Sequence, residues 1–320
     1  MDWFTLYKKY GIYVILFFVV LFFSVFAQNF LSVDNLLNIL RQISMFGIVV
    51  IGVTFVMIGG GADLSVGGEM AVCGMIGGLL MVKAGIPVFP ASILCMAITT
   101  FMGMLNGIIA VKLNMFSLIV TLGTMLILQG LAYVITGGYP IFGLPHNFSF
   151  LGQGYIGNIP FPVIIFILVA AGAWFLLNKT YFGRYVYAMG GNPEAARLAG
   201  VNIDRMRIAV FGLCGFVTSI ASLIMLSRTN SAQPGAGSSY PFDCMTAAVL
   251  GGISFAGGEG NISGAIVGVL IIGVLNNGLL LMGVDSNWQS VVKGIVLVAA
   301  VGIDSVQRKS KKARKTATAA

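Results

Sequence analysis

Charge is scarce in this chain. Only 9% of its 320 residues are Asp, Glu, Lys or Arg, against roughly 25% in an ordinary soluble domain. A soluble enzyme, a nucleic-acid-binding protein and a disordered chain all need that polar surface, and all three are excluded. Histidine is scarcer still. The single His146 sits in a polar stretch and reads as a solvated loop residue. A histidine-based metal site, a Ser-His-Asp triad and a Cys-His pair therefore lack raw material. The four cysteines, Cys73, Cys95, Cys214 and Cys244, lie in or beside apolar runs with no CxxC spacing. They read as small packing residues, not as a disulfide or metal framework. Neither glycine-rich stretch, GGGADLSVGG nor GGEGN, ends in the Lys-Ser/Thr of a P-loop, so no nucleotide site or bound cofactor is expected in this chain.

What is abundant is apolar surface. Hydrophobic residues make up 58% of the chain, and the mean hydropathy is +0.97. The apolar runs are continuous rather than alternating, which argues against a transmembrane β-barrel. Ten candidate spans stand out, near 11–27, 42–59, 66–82, 90–111, 117–136, 161–178, 208–227, 242–256, 262–283 and 288–304. A straight crossing needs about 20 apolar residues. The run 242–256 is short for one, so a broken or re-entrant helix is expected there. The first run exceeds a signal-peptide core, although Val25 and Ala27 would satisfy a cleavage site.

Basic residues give the orientation. With ten crossings and both termini in the cytoplasm, Lys8, Lys9, Lys112, Lys179, Arg184, Arg197, Arg205, Arg207 and the six basic residues after 307 all fall inside. Arg41, Lys83 and Arg228 fall outside, and Lys293 lies in the last span. Flipping the chain would oppose the positive-inside bias. The expected fold is thus all-α and polytopic. A single membrane domain covers 1–307, with an inner loop at 179–207, and a basic tail at 308–320 lies against anionic lipid.

Ionisable and amide groups inside a membrane ask for a reason. Five glycines frame Asp63, Ser65 and Glu69. Two readings stand: a cytoplasmic turn in which Asp63 caps a helix starting at Leu64, or a discontinuous helix beside a translocation path. Asp243 follows Pro241 at the start of a short span and suits an N-cap. Glu259 reads as solvated in a glycine-rich turn. Asn106, Gln129, Asn276 and Asn277 either bind helices together or face a polar solute. Residues 60–74 and 251–264 share a spacing of glycine pairs around Gly67-Gly68-Glu69 and Gly257-Gly258-Glu259, the kind of echo that duplicated transporter halves leave and that glycine-rich chains also produce by chance.

The inner loop carries the sharpest local pattern, GGNPEAARLAGV at 190–201. Asn192 suits an N-cap, Pro193 the first helical position and Glu194 the positive end of the helix dipole. Gly200 suits a left-handed stop. About two turns of helix are expected, lying in the cytoplasm between two spans.

The segment Glu194-Ala195-Ala196 with Gly200 four residues on resembles the EAA-x3-G loop of ABC importer permeases. GGADLSVGG at 60–68, GRYVYAMGGNPEAARLAGVN at 183–202, SAQPGAG at 231–237, AAVLGGISFAGGEGNISGAIVG at 247–268 and GVLNNGLLLMGV at 273–284 extend that likeness over about residues 30–305. The chain is similar to permeases of bacterial monosaccharide importers of the ribose-transporter type. The resemblance implies two paired permease subunits in the bacterial cytoplasmic (inner) membrane, and an ATPase partner, often with two fused nucleotide domains, that uses ATP and Mg. It also implies a sugar-loaded binding protein outside, and docking of the ATPase on Asn192, Pro193, Glu194, Ala195, Ala196 and Gly200. Asp63, Ser65, Asn106, Asp243, Asn276 and Asn277 would lie near the path for ribose or a similar sugar. The chain would be a transport subunit and not an enzyme, with no nucleic acid among its partners. Ala62, Glu69 and Pro241 depart from the family pattern, which leaves the sugar open. The competing reading is a proton-coupled secondary transporter using Asp63 and Glu69, against which their six-residue spacing counts, since on a regular helix it separates them onto different faces.

Overall fold

The computed structural model describes the backbone of residues 3–319 and the side chains of residues 11–302 and 305. In chain order the helices are α1 (Trp3–Phe26), α2 (Val33–Ile58), α3 (Val66–Gly78), α4 (Val88–Lys112), α5 (Ser117–Thr136), α6 (Ser149–Gln153), α7 (Phe161–Lys179), α8 (Tyr181–Gly191), α9 (Pro193–Leu198), α10 (Ile203–Thr229), α11 (Tyr240–Leu250), α12 (Ile262–Leu281) and α13 (Ser286–Ala319). Four two-residue strands, β1 (Ile141–Phe142), β2 (Tyr155–Ile156), β3 (Ile159–Pro160) and β4 (Ser231–Ala232), form the antiparallel pairs β1–β4 and β2–β3. Among the described residues, seven helices are long and apolar enough to cross a membrane. The chain is an all-α multi-pass membrane protein.

Hydropathy misplaces several helix ends because caps, not apolarity, set them. α2 starts nine residues before the apolar run, at a turn where the Val33 helix receives an N-cap from Ser32, whose hydroxyl accepts from Asn35 N at 3.3 Å. α10 starts where Asn202 Oδ1 accepts from Arg205 N at 3.0 Å. The short run near 242–256 becomes the 11-residue α11, followed by a loop to Asn261, so a short helix and a loop stand there in place of one full-length crossing helix. The last helix runs on through the basic stretch to Ala319; the tail side chains from 306 lie outside the described residues.

Most of α2 and α10 is buried, whereas α4, α5 and α7 leave most of their surface outward. Lipid is as apolar as leucine, so helices here associate by close packing of small residues. Gly103 and Gly107, four apart on α4, meet α10: a Cβ on Gly107 would stand 2.7 Å from Ile208 Cα, and one on Gly103 would overlap the Phe211 carbonyl oxygen. Gly264 and Gly268 do the same on α12 against the carbonyls of Gly251 and Ala247.

The molecule has two distinct ends. At the hairpin end, loop 137–160 folds over α10: Gly152 N donates to Ser227 Oγ at 2.8 Å, Gln153 Nε2 donates to Arg228 O at 3.0 Å, and Arg41 of α2 bonds Tyr155. At the opposite end, the α2–α3 turn, α8 and the α11–α12 loop converge. Gly258 N donates to Ile58 O at 2.8 Å, and Tyr187 OH donates to Gly260 O at 2.7 Å. The two glycine-rich segments that echo each other in sequence thus meet in space, with Gly257 packed on Gly60.

Candidate functional site

Three groups of residues carry chemistry, at different depths. The first is the helical loop. Thr180 caps α8, its hydroxyl accepting from Gly183 N at 3.4 Å. Asn192 then caps α9, its Oδ1 accepting from Ala195 N at 3.1 Å, with Pro193 in the first turn. Gly200 adopts φ +85°, and the N–H groups of Gly200 and Val201 return to the carbonyls of Arg197 and Ala196 at 3.0 Å, which closes the helix as a left-handed glycine does. Only Ala196 of α9 is buried; Glu194, Ala195 and Arg197 are exposed, and Leu198 is 90% exposed. The Arg197–Asp204 pair at 3.9 Å is exposed on both sides and contributes little. α9 is therefore a preformed projection held by its caps and one buried methyl. The sequence pattern marked α9, but did not set the bounds of α8. Burial pushes the Tyr187 phenol above its usual range, so it remains a donor to the α11–α12 loop.

The second group lies at the break between α2 and α3. The helix begins at Val66, with Ser65 at the N-cap position, not at Leu64 with Asp63 as its cap. Asp63 instead closes a tight turn, its Oδ1 accepting from Ser65 N at 2.9 Å and from Ser65 Oγ at 2.5 Å. The freed backbone is satisfied by α5: Ala62 N donates to Ser117 Oγ and Leu64 N to Thr121 Oγ1, both at 3.1 Å. Irregular backbone at this depth needs such partners. Ser65 Oγ also accepts from Asn106 Nδ2 at 2.9 Å and lies 3.2 Å from Glu69 Oε1. Asp63, Ser65 and Glu69 expose no surface. Asp63 and Glu69 converge on one hydroxyl because the helix starts only between them; the six-residue spacing that would part them on a regular helix does not apply.

The third group surrounds a cavity of about 160 Å³ between α2, α11, α12 and α13. Asp243 is not an N-cap: α11 starts at Tyr240 after Ser239, and the Asp243 side chain points across to α13. There Lys293 Nζ donates to Asp243 Oδ2 at 2.8 Å. An intramembrane lysine needs such a partner, and this one joins helices 50 positions apart in sequence. Asn276 lines the cavity with its Oδ1 buried and unpartnered. The neighbouring Asn277 turns away into a reciprocal amide pair with Asn35, at 3.0 and 2.9 Å, which ties α12 to α2. Sequence reasoning did not single out Asn35, Gln42 or Tyr240 as site residues, although NLLNILRQIS at 35–44, which holds the first two, is part of the family likeness. Lys293 carried the one available signal, a lone charge within a span. Glu259 is exposed in the α11–α12 loop.

Spanning helices around a buried polar break, a polar cavity and a projecting loop helix define a class: a multi-pass membrane transport subunit. The family described as "Branched-chain amino acid transport system / permease component" matches residues 35–301. The chain is 44% identical over 300 residues to the ribose import permease protein RbsC of Bacillus subtilis (strain 168), covering 93% of this chain and 92% of that protein. It is 42% identical over 286 residues to RbsC of Haemophilus influenzae, covering 88% of each. It is 36% identical over 327 residues to the galactose/methyl galactoside import permease protein MglC of Escherichia coli K12, covering 96% and 97%. No solved structure matches the chain. The chain belongs to the branched-chain amino acid transport system / permease component family, and it is a transport subunit rather than an enzyme.

Proposed function

We propose that this permease subunit passes a monosaccharide, ribose or a similar sugar, inward across the bacterial cytoplasmic membrane as part of an ABC importer. The names of its relatives support the sugar class. The observation that carries the coupling is α9, a capped helix displayed with Leu198 90% exposed on a chain that has no phosphate-binding loop of its own. Energy then enters through a partner ATPase, often two fused nucleotide domains in importers of this type, that uses ATP and Mg and seats on Asn192, Pro193, Glu194, Ala195, Ala196 and Gly200. A sugar-loaded binding protein meets the hairpin end, and a second copy of the permease completes the pathway. The ten-crossing arrangement with both termini inside agrees with this polarity, since Arg184, Arg197, Arg205 and Arg207 cluster around α8, α9 and the start of α10 and belong on the cytoplasmic side. Asp243 and Asn276 face the path, while Asp63, Ser65, Asn106 and Asn277 support it from within the packed helices.

The proton-coupled alternative draws on one observation, the convergence of Asp63 and Glu69 on Ser65. Purification in mild detergent from native membranes separates the two. The importer reading expects an ATPase in near-stoichiometric amount. Recovery of the chain alone, under conditions that preserve a known complex, overturns it in favour of proton coupling.

A further inference from the structure

The cavity between α2, α11, α12 and α13 has a chemistry of its own. Its charged lining groups are Asp243 and Lys293, and they are paired with each other at 2.8 Å. Such a pair offers no net charge to an ionic ligand. It does offer a carboxylate acceptor and an ammonium donor side by side, both still partly open, with side chains 11% and 22% exposed. Around it stand amides. Asn276 presents a buried carbonyl oxygen with no partner, a group that costs about 1–3 kcal/mol unless something donates to it. Gln289 spends its Nε2 on Val284 O at 2.8 Å, which leaves its Oε1 as an acceptor, and Gln42 lies opposite on α2. One wall is aromatic: Tyr240 stands edge-on to Phe46, ring centroids 5.8 Å apart. A cavity of about 160 Å³ has room for several waters, or for one small solute that replaces them.

Closely set donors and acceptors of both kinds, no free charge and an aromatic flank match a neutral polyhydroxylated ring. Adjacent hydroxyls each donate once and accept once, which a carboxylate–ammonium pair flanked by amides satisfies. The cavity lies toward the hairpin end: Gln42 adjoins Arg41, which bonds Tyr155 of that end, and Asn276 lies in the last two turns of α12. We propose that this cavity is an outward-side binding subsite for one free monosaccharide, with Asp243, Lys293 and Asn276 as its principal hydrogen-bonding groups. The proposal rests on the sugar-import reading and gives it a place on the chain.

The test uses the full importer in proteoliposomes, with D-ribose and D-galactose as probes. Gln42→Leu and Asn276→Leu each remove one hydrogen-bonding group at similar volume. Each is expected to lower uptake about tenfold, the equivalent of one hydrogen bond of about 1.4 kcal/mol, in preparations that retain the ATPase in the same amount as wild type. A second measurement needs no transport. Asn276→Cys in the purified full chain is labelled with a membrane-impermeant methanethiosulfonate; the four native cysteines are buried. Excess ribose or galactose is expected to slow labelling, and an equal excess of glycine betaine is not. Wild-type uptake with unaffected variants and unprotected labelling overturns the subsite. Protection without any wild-type uptake upholds the subsite and overturns the import reading. Absence of both overturns both.

Discussion

A single methyl group at Gly190 tests how the helical loop is joined to the membrane domain. Gly190 ends α8 against the α2–α3 turn and the α11–α12 loop. A Cβ there would overlap the Ile58 carbonyl oxygen and stand 2.6 Å from Gly258 N, the two atoms that bond each other at 2.8 Å. Ordinary contacts lie near 3.5–4.0 Å, so these backbones must part by about 1–2 Å. Overpacking of this kind costs about 1–3 kcal/mol, and the lost hydrogen bond adds about 1 kcal/mol. The gain in helix propensity returns up to about 1 kcal/mol. Gly190→Ala is therefore expected to destabilise by about 1–3 kcal/mol and to loosen α8 from the α2–α3 turn. Gly191→Ala is the control, since a Cβ there meets nothing within 4 Å; it is expected to be neutral or to stabilise by up to about 1 kcal/mol. The assay is paired: thermal unfolding in detergent, and sugar moved per ATP hydrolysed in the reconstituted importer. Gly190→Ala is expected to lower both, and Gly191→Ala neither. Equal behaviour of the two variants would refute the close-packed junction between α8 and the α2–α3 turn.

Three further outcomes are expected. A double-mutant cycle on Asn35 and Asn277 gives a coupling of about 0.6–1.7 kcal/mol, the range for interhelical hydrogen bonds in membranes; additive single effects would remove the reciprocal pair. Glu69→Met keeps the volume of a side chain that exposes no surface and whose Oε2 has no partner. It is expected to raise stability by about 1–3 kcal/mol, and a drop in thermal midpoint would count against the account of that site. Gly200→Leu meets no neighbour but must hold φ +85°, at about 1–2 kcal/mol. Membrane insertion should persist while ATPase activity uncouples from uptake, and normal uptake would contradict a coupling role for the α9 stop.

The sequence by itself determined the solvent, the element type and the outline of the loop helix. Nine per cent charge and long apolar runs leave only helices in lipid, because backbone groups there must bond locally. Asn192, Pro193 and Gly200 fix α9 for the same reason: caps are interactions over three or four residues, and a linear pattern records them. The helix breaks at 59–65 and 251–261 were legible as glycine clusters. The partners of the polar residues were not. Asn276 and Asn277 are identical neighbours, yet one faces a cavity and the other bonds Asn35, 242 positions away. Asp63 and Glu69 meet at Ser65 because the helix starts two residues later than a cap at Asp63 would place it. Asp243 and Lys293 find each other across two helices. Where a helix lies in lipid, hydropathy is nearly uniform around it, so it cannot say which face turns inward. The close approach of glycine backbones decides that, and with it which buried polar groups meet.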